Sequence, residues 1–580
     1  MQIVMHQTHH IIGDFDKIFA EIESILKNSK DGELHLFPEL YLSGYMLRDL
    51  VVQRTFIARY FDFFEKLDNL FQKSKSKDNL FLFGGLEYDL DESNLPVQIK
   101  NVIWQAKPAS KLERIYTKQL LPNYDIFDEL KYFTAGSESQ VIKFQNKNIG
   151  LLICEDMWFS TNHSDDPVTK MKSFIDEKSI ELDLIVNLSA SPFFIGKESK
   201  RIDRARLIGK KFGCPFFYLN NVGYEDEIIF DGGSFVTNGD DIVVQGNLFR
   251  RDELRLELPA KSPSVSVSRQ DETVVNTWES LFRPNLDLTK RPPELPKLTD
   301  QDCQVMLEAI QLAVQDYVAK TGFSKFTIAL SGGIDSALVL TILNLIKTED
   351  QELEAIYMPG FYSRSISYDL SYELCKNLGI PLKTIPIKFF HSSIKNSFKD
   401  NLGEDLEGLA DENIQSRLRG ALLFARSNQK NSIVFNTSNK SEIAVGYSTM
   451  YGDSVGALSI LGDLYKSEVF ELAKYINKKW KNIIPEQIIT RPPSAELRED
   501  QEDQQSLPPY EILDAILEGF LSYRLSLKEL HDLGLDEDHI KKTYDLYNKS
   551  EYKRNQFCPI IKLKAKSFGF GYRVPITKKF

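Results

Sequence analysis

Phe326-Thr327-Ile328-Ala329-Leu330-Ser331-Gly332-Gly333-Ile334-Asp335-Ser336-Ala337 carries an apolar, β-branched run straight through serines and glycines into a second apolar run. The first run predicts a buried strand, Phe326 to Leu330, and the second an apolar helix. Glycines at such a handover let the backbone approach a ligand closely, and the free amides and helix dipole point at an anion. Ser331 and Ser336 add hydroxyl donors. An ordinary tight turn also uses Gly and Ser, but Ser-Gly-Gly-x-Asp-Ser after a strand is a narrower pattern and reads as a phosphate cradle.

Working outward, an amphipathic helix is expected from about Asp300 to Lys320. Before it, between about Pro259 and Lys297, the layered pattern lapses into Ser262-Pro263-Ser264-Val265-Ser266-Val267-Ser268 and Lys290-Arg291-Pro292-Pro293-Glu294-Leu295-Pro296. These prolines continue neither a helix nor a central strand, so a linker is predicted there. Further upstream, Leu34 to Phe37, Leu80 to Phe83, Ile149 to Ile153, Leu184 to Val186 and Phe216 to Leu219 read as buried strands alternating with amphipathic stretches. The class is α/β, and polar residues at the strands' C-terminal ends mark where sites are built. The expected organisation is a first domain over 1–260, a linker over 261–298 and a second domain over 299–580.

The 580 residues hold 71 Lys+Arg and 83 Asp+Glu, a net charge of −12, with 42% hydrophobic and 11% aromatic residues. This is a globular composition, not a disordered or fibrous one. The acidic balance repels a phosphate backbone, so no general nucleic-acid partner is expected. No apolar run is long enough to span a membrane and Met1 to Gln7 does not open a signal peptide, so the expectation is a cytoplasmic protein without a membrane partner. Cys154, Cys214, Cys303, Cys375 and Cys558 form no CxxC pair, no HExxH is present, and the Walker A pattern is missing.

Three places in the first block can cooperate: Phe37-Pro38-Glu39, Lys118 ahead of Leu121-Pro122, and Leu152-Ile153-Cys154-Glu155-Asp156. A thiol attacks an amide when a carboxylate removes its proton and a cation holds the oxyanion. Taken singly, a strand-end Cys is an ordinary buried hydrophobe, and Glu39 or Lys118 an ordinary surface charge. Together, with Leu121-Pro122-Asn123-Tyr124, they resemble the nitrilase, or carbon–nitrogen hydrolase, superfamily over almost the whole first block. That resemblance implies an α-β-β-α sandwich, with Glu39 as general base, Lys118 as oxyanion stabiliser, Cys154 as nucleophile and Glu129 as a supporting carboxylate. Through Asn187-Leu188-Ser189-Ala190-Ser191-Pro192 it implies a glutamine pocket with Tyr124, Ser189 and Ser191. Val222-Gly223-Tyr224-Glu225-Asp226-Glu227 departs from the Gly-Gln that glutamine-dependent members usually show before Asp-Glu.

The cradle of the second block resembles the loop of the ATP pyrophosphatases, a Rossmann-like doubly wound parallel-sheet family that adenylates a substrate and releases pyrophosphate. Asn413-Ile414-Gln415-Ser416-Arg417-Leu418-Arg419, Asn436-Thr437-Ser438-Asn439-Lys440-Ser441-Glu442 and Tyr451-Gly452-Asp453 resemble its NAD synthetase branch. The resemblance implies ATP contacts at Ser331, Gly332, Gly333, Asp335, Ser336, Thr437, Lys466 and Ser494. It implies magnesium on Asp335 and Glu442, and deamido-NAD recognition by Asn439 and Asp453.

An amide hydrolase releases ammonia, and an acyl-adenylate needs neutral ammonia kept from water, which explains two such blocks on one chain. The whole resembles the glutamine-dependent NAD synthetases, which implies glutamine, ATP and deamido-NAD+ as substrates and a homo-oligomer, an octamer among the forms. Two alternatives stand beside it: an RNA-modifying enzyme using the same adenylating loop, and a first block that is an inert scaffold for an ammonia-dependent enzyme.

Overall fold

The computed structural model describes residues 1–75, 77–158, 165–261 and 286–578. The chain divides into two compact units, Met1–Leu281 and Phe282–Phe580. Most of the expected linker, 262–285, lies outside the described residues.

The first unit holds two six-stranded sheets. One runs from edge to edge through Asp252–Glu257, Gln2–Gln7, Glu33–Leu36, Leu80–Leu90, Pro96–Ala106 and Glu113–Thr117. The other runs through Asp241–Gln245, Phe235–Asn238, Phe216–Asn220, Leu184–Ser189, Lys147–Ile153 and Val141–Phe144. The period-two rule of a strand decides how they stack. Leu34, Leu36, Leu80 and Leu82 of the first sheet share one core with Leu151, Ile153, Leu184, Val186 and Leu188 of the second, the filling between the sheets. The intervening residues point outward. Phe81 and Phe83 meet helices Phe15–Asn28 and Arg54–Lys73, while Leu152 and Ile185 meet helices Pro167–Glu177 and Lys197–Phe212. The result is an α-β-β-α sandwich in which nearly every central strand residue is buried on one face or the other.

The second unit is built on five parallel strands in the spatial order Leu382–Thr384, Glu352–Tyr357, Lys325–Ala329, Ile433–Asn436, Leu458–Ser459. In chain order this reads 3-2-1-4-5, so the winding direction reverses between Lys325–Ala329 and Ile433–Asn436, the crevice where doubly wound sheets take ligands. Helix Gly408–Lys430 covers one face, packing Leu423 on Ile356 and Val434. Helix Ile334–Ile346, with ten of its side chains buried, starts at the glycine loop that opened the sequence reading. Among the described residues no helix is long and apolar enough to cross a membrane.

Candidate active sites

Four strand ends of the first unit meet at one point. Glu39 lies three residues beyond strand Glu33–Leu36, and Lys118, Cys154 and Ala190 each directly follow Glu113–Thr117, Lys147–Ile153 and Leu184–Ser189. Glu39 Oε1 accepts from Lys118 Nζ at 2.7 Å and from Asn101 Nδ2 at 2.8 Å, and its Oε2 accepts from the Ala190 amide at 2.9 Å. Lys118 Nζ also donates to both oxygens of Glu129 at 2.8 Å, and Glu129 accepts from the Tyr45 hydroxyl at 2.7 Å. Lys118 is 1% exposed and Glu39 1%. Burial opposes the Lys118 charge, but Glu129 and Glu39 outweigh it and hold its pKa well above the ordinary lysine value. Burial raises the Glu129 carboxyl, the neighbouring Glu39 charge adding to it against Lys118.

The Cys154 backbone is left-handed, φ +43°, a conformation that costs a non-glycine residue about 1–3 kcal/mol and persists only where surroundings impose it. The imposing group is Asp156, fully buried, whose carboxylate accepts from the amides of Gln119, Leu120 and Ile153 and from the Tyr116 hydroxyl. It ties the segment after Lys118 to the strand end before Cys154. Burial, then the Glu39 charge, push the Cys154 thiol well above its usual value, with Lys118 pulling the other way. A thiol held high in this way needs a base at the moment of attack.

Of the residues expected around glutamine, Tyr124 donates its hydroxyl to Glu155 at 3.0 Å, and burial pushes the Glu155 carboxyl up to about 7. Ser189 is fully buried with an Oγ that has no hydrogen-bond partner. Ser191 is gripped on both sides: its amide donates to Asn220 Oδ1 at 2.8 Å and its carbonyl accepts from Arg201 Nη2 at 2.9 Å. Arg201 is itself paired with Asp231 at 2.7 Å and 1% exposed. Lys197, its Nζ on the Pro192 carbonyl at 2.9 Å, is buried, and burial followed by Arg201 brings its pKa down to about 7. Sequence reasoning missed Asn101, Lys197, Arg201 and Asp231, none of which stands in a motif that distinguishes it from a surface polar residue.

A glycine fixes the base. At Gly84, in strand Leu80–Leu90, an added Cβ would lie 2.4 Å from Pro38 O and Leu40 N and 2.6 Å from the Glu39 Cα, all backbone. Gly84→Ala is expected to destabilise by about 1–3 kcal/mol and, by displacing Glu39, to slow reaction at Cys154 on the order of 100-fold. Thermal melts alongside the turnover of Cys154 check both.

In the second unit a cavity of about 240 Å³ opens at the switch point of the sheet. Ser331, Gly333, Asp335, Ser336, Thr437, Glu442, Asp453, Lys466 and Ser494 line it. The loop is stitched internally: Ser331 Oγ lies 3.1 Å from Ser336 Oγ and accepts from the Gly333 amide at 3.2 Å, and Ser336 Oγ donates to the Gly333 carbonyl at 3.1 Å. Gly332 has φ +80° and would put a Cβ 2.5 Å from the Ser367 carbonyl oxygen, so the fold itself demands glycine there. At Gly333 an added Cβ would meet only Ser331 Oγ, at 3.3 Å. The first-turn amides of helix Ile334–Ile346 have no acceptor within the helix and face the same space.

Lys466 stands between two carboxylates, its Nζ 2.6 Å from Asp335 Oδ2 and 3.3 Å from Glu442 Oε1. It is 1% exposed, and although burial opposes its charge, Asp335 and Glu442 raise its pKa. Asp503, held by the Tyr510 hydroxyl at 2.9 Å, also lines the cavity. Burial, then the Asp335 and Asp503 charges, push Glu442 up to about 8 against Lys466. Asn439 is fully buried as the N-cap of helix Lys440–Val445 and donates to Asp335 Oδ1 at 2.9 Å, so the structure places it behind Asp335 and outside the cavity lining. Ser494 lines the cavity but donates its hydroxyl to the Gln501 carbonyl. Asp453 is exposed at the rim and accepts from the Thr449 amide at 2.6 Å.

A family model described as NAD synthase matches residues 306–557. The glutamine-dependent NAD(+) synthetase of Aquifex aeolicus is 34% identical over 591 residues, spanning 100% of this chain and 100% of its own. The chain belongs to the glutamine-dependent NAD(+) synthetases. The Thermotoga maritima member is 32% identical across 100% of this chain and 99% of its own. Among solved structures, the glutamine-dependent NAD+ synthetase of Acinetobacter baumannii in complex with adenosine diphosphate superposes with a TM-score of 0.69 at 29% identity, covering 99% of this chain and 98% of its own. Membership in this family sets the RNA-modifying alternative aside.

Proposed function

We propose that Cys154 hydrolyses glutamine within the first unit and that the second unit uses the ammonia to amidate deamido-NAD+. The observation that carries this reading is that one chain holds both a buried Cys154, Glu39 and Lys118 set and a glycine loop facing Asp335, Glu442 and Lys466. Glu39 takes the Cys154 proton as the sulfur attacks the amide carbonyl, and Lys118 faces the developing oxyanion. Glu39 returns the proton to the departing ammonia, leaving an acyl thioester, and then activates the water that releases glutamate and frees the thiol. Glu129 holds the Lys118 ammonium in place, and Tyr124, Ser189 and Ser191 belong to the glutamine pocket.

In the second unit the deamido-NAD+ carboxylate attacks the α-phosphorus of ATP, pyrophosphate leaves, and ammonia displaces AMP to give NAD+. Ser331, Gly332, Gly333, Ser336, Thr437, Lys466 and Ser494 form the phosphate side of the site, and Asp453 the dinucleotide side. Asn439 acts by holding Asp335. Asp335 and Glu442 converge on one Lys466 Nζ, and with Asp503 they bring three carboxylates against a single ammonium. That surplus of negative oxygen fits magnesium, which takes one or two carboxylates together with substrate phosphates. Bound there, the ion would offset charge on the pyrophosphate leaving group. The same reading assigns the glutaminase to 1–260 and the synthetase to 299–580, with a homo-oligomeric, cytoplasmic enzyme.

The test is product analysis with deamido-NAD+, ATP and magnesium, supplying either glutamine or an ammonium salt. Both nitrogen sources are expected to yield NAD+, AMP and pyrophosphate, and glutamine alone to yield glutamate as well. NAD+ from ammonium only would leave the first unit as a scaffold.

A further inference from the structure

Behind the Lys466 and Glu442 pair lies a carboxylate that no part of the proposed reaction uses. Asp514, on helix Tyr510–Leu521, is fully buried. Its Oδ1 accepts from the Ser441 hydroxyl, and its Oδ2 accepts from the Ser467 amide at 3.0 Å and the Ser467 hydroxyl at 2.7 Å. Ser441 Oγ in turn accepts from the Lys466 amide at 2.9 Å. Ser441 immediately precedes Glu442, and Ser467 immediately follows Lys466. One carboxylate thus grips the neighbours in sequence of both site residues, at the start of two different helices, Lys440–Val445 and Lys466–Lys479. The same helix touches the site again through Tyr510, whose ring centre lies 5.3 Å from Lys466 Nζ and whose hydroxyl holds Asp503.

We propose that Asp514 is a positioning residue that sets Lys466 relative to Glu442 for the adenylation step, an inference that rests on the reading of this site given above. Three donors converge on its two oxygens, and a carboxylate accepts at both while an amide accepts at only one. Asp514→Asn therefore breaks at least one link while preserving volume, and lets Lys466 and Glu442 move apart. Shifts on the ångström scale in a reacting constellation cost up to about 100-fold.

The experiment measures pyrophosphate release by the purified full chain with deamido-NAD+, ATP, magnesium and an ammonium salt, so that Cys154 is not needed. Asp514→Asn is expected to lower kcat on the order of 10- to 100-fold, with glutamate release from glutamine reporting that the chain is folded. Introduced into Lys466→Ala, the same substitution is expected to subtract no more than about twofold, because residues acting as a unit are not additive. Wild-type turnover in Asp514→Asn overturns the inference, as does an equally large loss in the Lys466→Ala background, the mark of a merely structural role. Ser467→Ala, which deletes one hydroxyl donor only, is expected to show a smaller loss, and wild-type turnover there overturns it too should Asp514→Asn fail to accumulate. Absence of pyrophosphate from the unsubstituted chain overturns the reading of the site itself, and the positioning role with it.

Discussion

Cys154→Ala is expected to stop NAD+ formation from glutamine while formation from an ammonium salt continues within about twofold of the starting rate, since the synthetase chemistry needs no thiol. The loss on the glutamine branch is expected to be on the order of 10⁴-fold or more, the scale seen when a covalent nucleophile is removed. The other buried cysteines are the controls. Burial pushes Cys214 and Cys303 up to about 12 and Cys375 up to about 11. Replacing any of these by Ala should cost stability and leave the ratio of the two branches unchanged. Because the Cys154 thiol is itself held high, its reactivity belongs to the assembled site and not to a standing thiolate. Thus Glu39→Gln should nearly match Cys154→Ala on the glutamine branch. Glutamate release measured with and without ammonium settles both, and glutamine-supported turnover persisting in Cys154→Ala would remove the nucleophile assignment.

The second large effect is expected at Asp335. Its carboxylate holds Lys466 Nζ at 2.6 Å and is itself held by Asn439 at 2.9 Å. Asp335→Asn takes the negative charge from one of the two ligands proposed for magnesium and leaves Glu442 as the carboxylate in direct ion-pair contact with Lys466. Pyrophosphate release should fall on the order of 10²- to 10³-fold with either nitrogen source, the magnitude of losing one electrostatic partner at a reacting centre. Cys154 should still turn over glutamine. A loss confined to the glutamine branch would show that Asp335 serves something other than adenylation.

Some of this was legible before any coordinates. Strand cores announced themselves because a central strand buried on both faces reads as a largely apolar run: Leu80 to Phe83, Ile149 to Ile153, Leu184 to Val186 and Phe216 to Leu219 all fall inside observed strands, while the expected Leu34 to Phe37 and Phe326 to Leu330 each run one residue past the observed end. Strands that open on polar residues did not. Pro96–Ala106, one place in from the sheet edge, begins Pro-Val-Gln-Ile-Lys-Asn, and the edge strand Asp241–Gln245 has four exposed residues of five, so neither opens as an apolar run. At the first site, Glu39 and Cys154 are expected just beyond strands and stand there, whereas Lys118, expected on a loop, directly follows the strand Glu113–Thr117. Asp514 and Asp503 were not legible: one of three acids in an otherwise largely apolar helix, or one among several in Arg498-Glu499-Asp500-Gln501-Glu502-Asp503, carries no local sign of what it will face. Asn439, which the resemblance implies for deamido-NAD recognition, caps helix Lys440–Val445 and sends its amide to Asp335. Cap and ligand functions use the same short polar side chains, and only the tertiary partner tells them apart.

The two glycines of the opening loop answer to different masters. Gly332 is required by its own backbone angle and by the Ser367 carbonyl, whether or not any nucleotide is present. Gly333 is not: its angle is ordinary for an L-residue and a methyl group there would press only on a hydroxyl at 3.3 Å. Over evolutionary time the first position is guarded by folding and the second by use. In a descendant that had abandoned ATP, Gly333 would be free to drift to Ala at little expense to the fold while Gly332 stayed, so that a lone change at the second glycine would date the end of adenylation in that lineage.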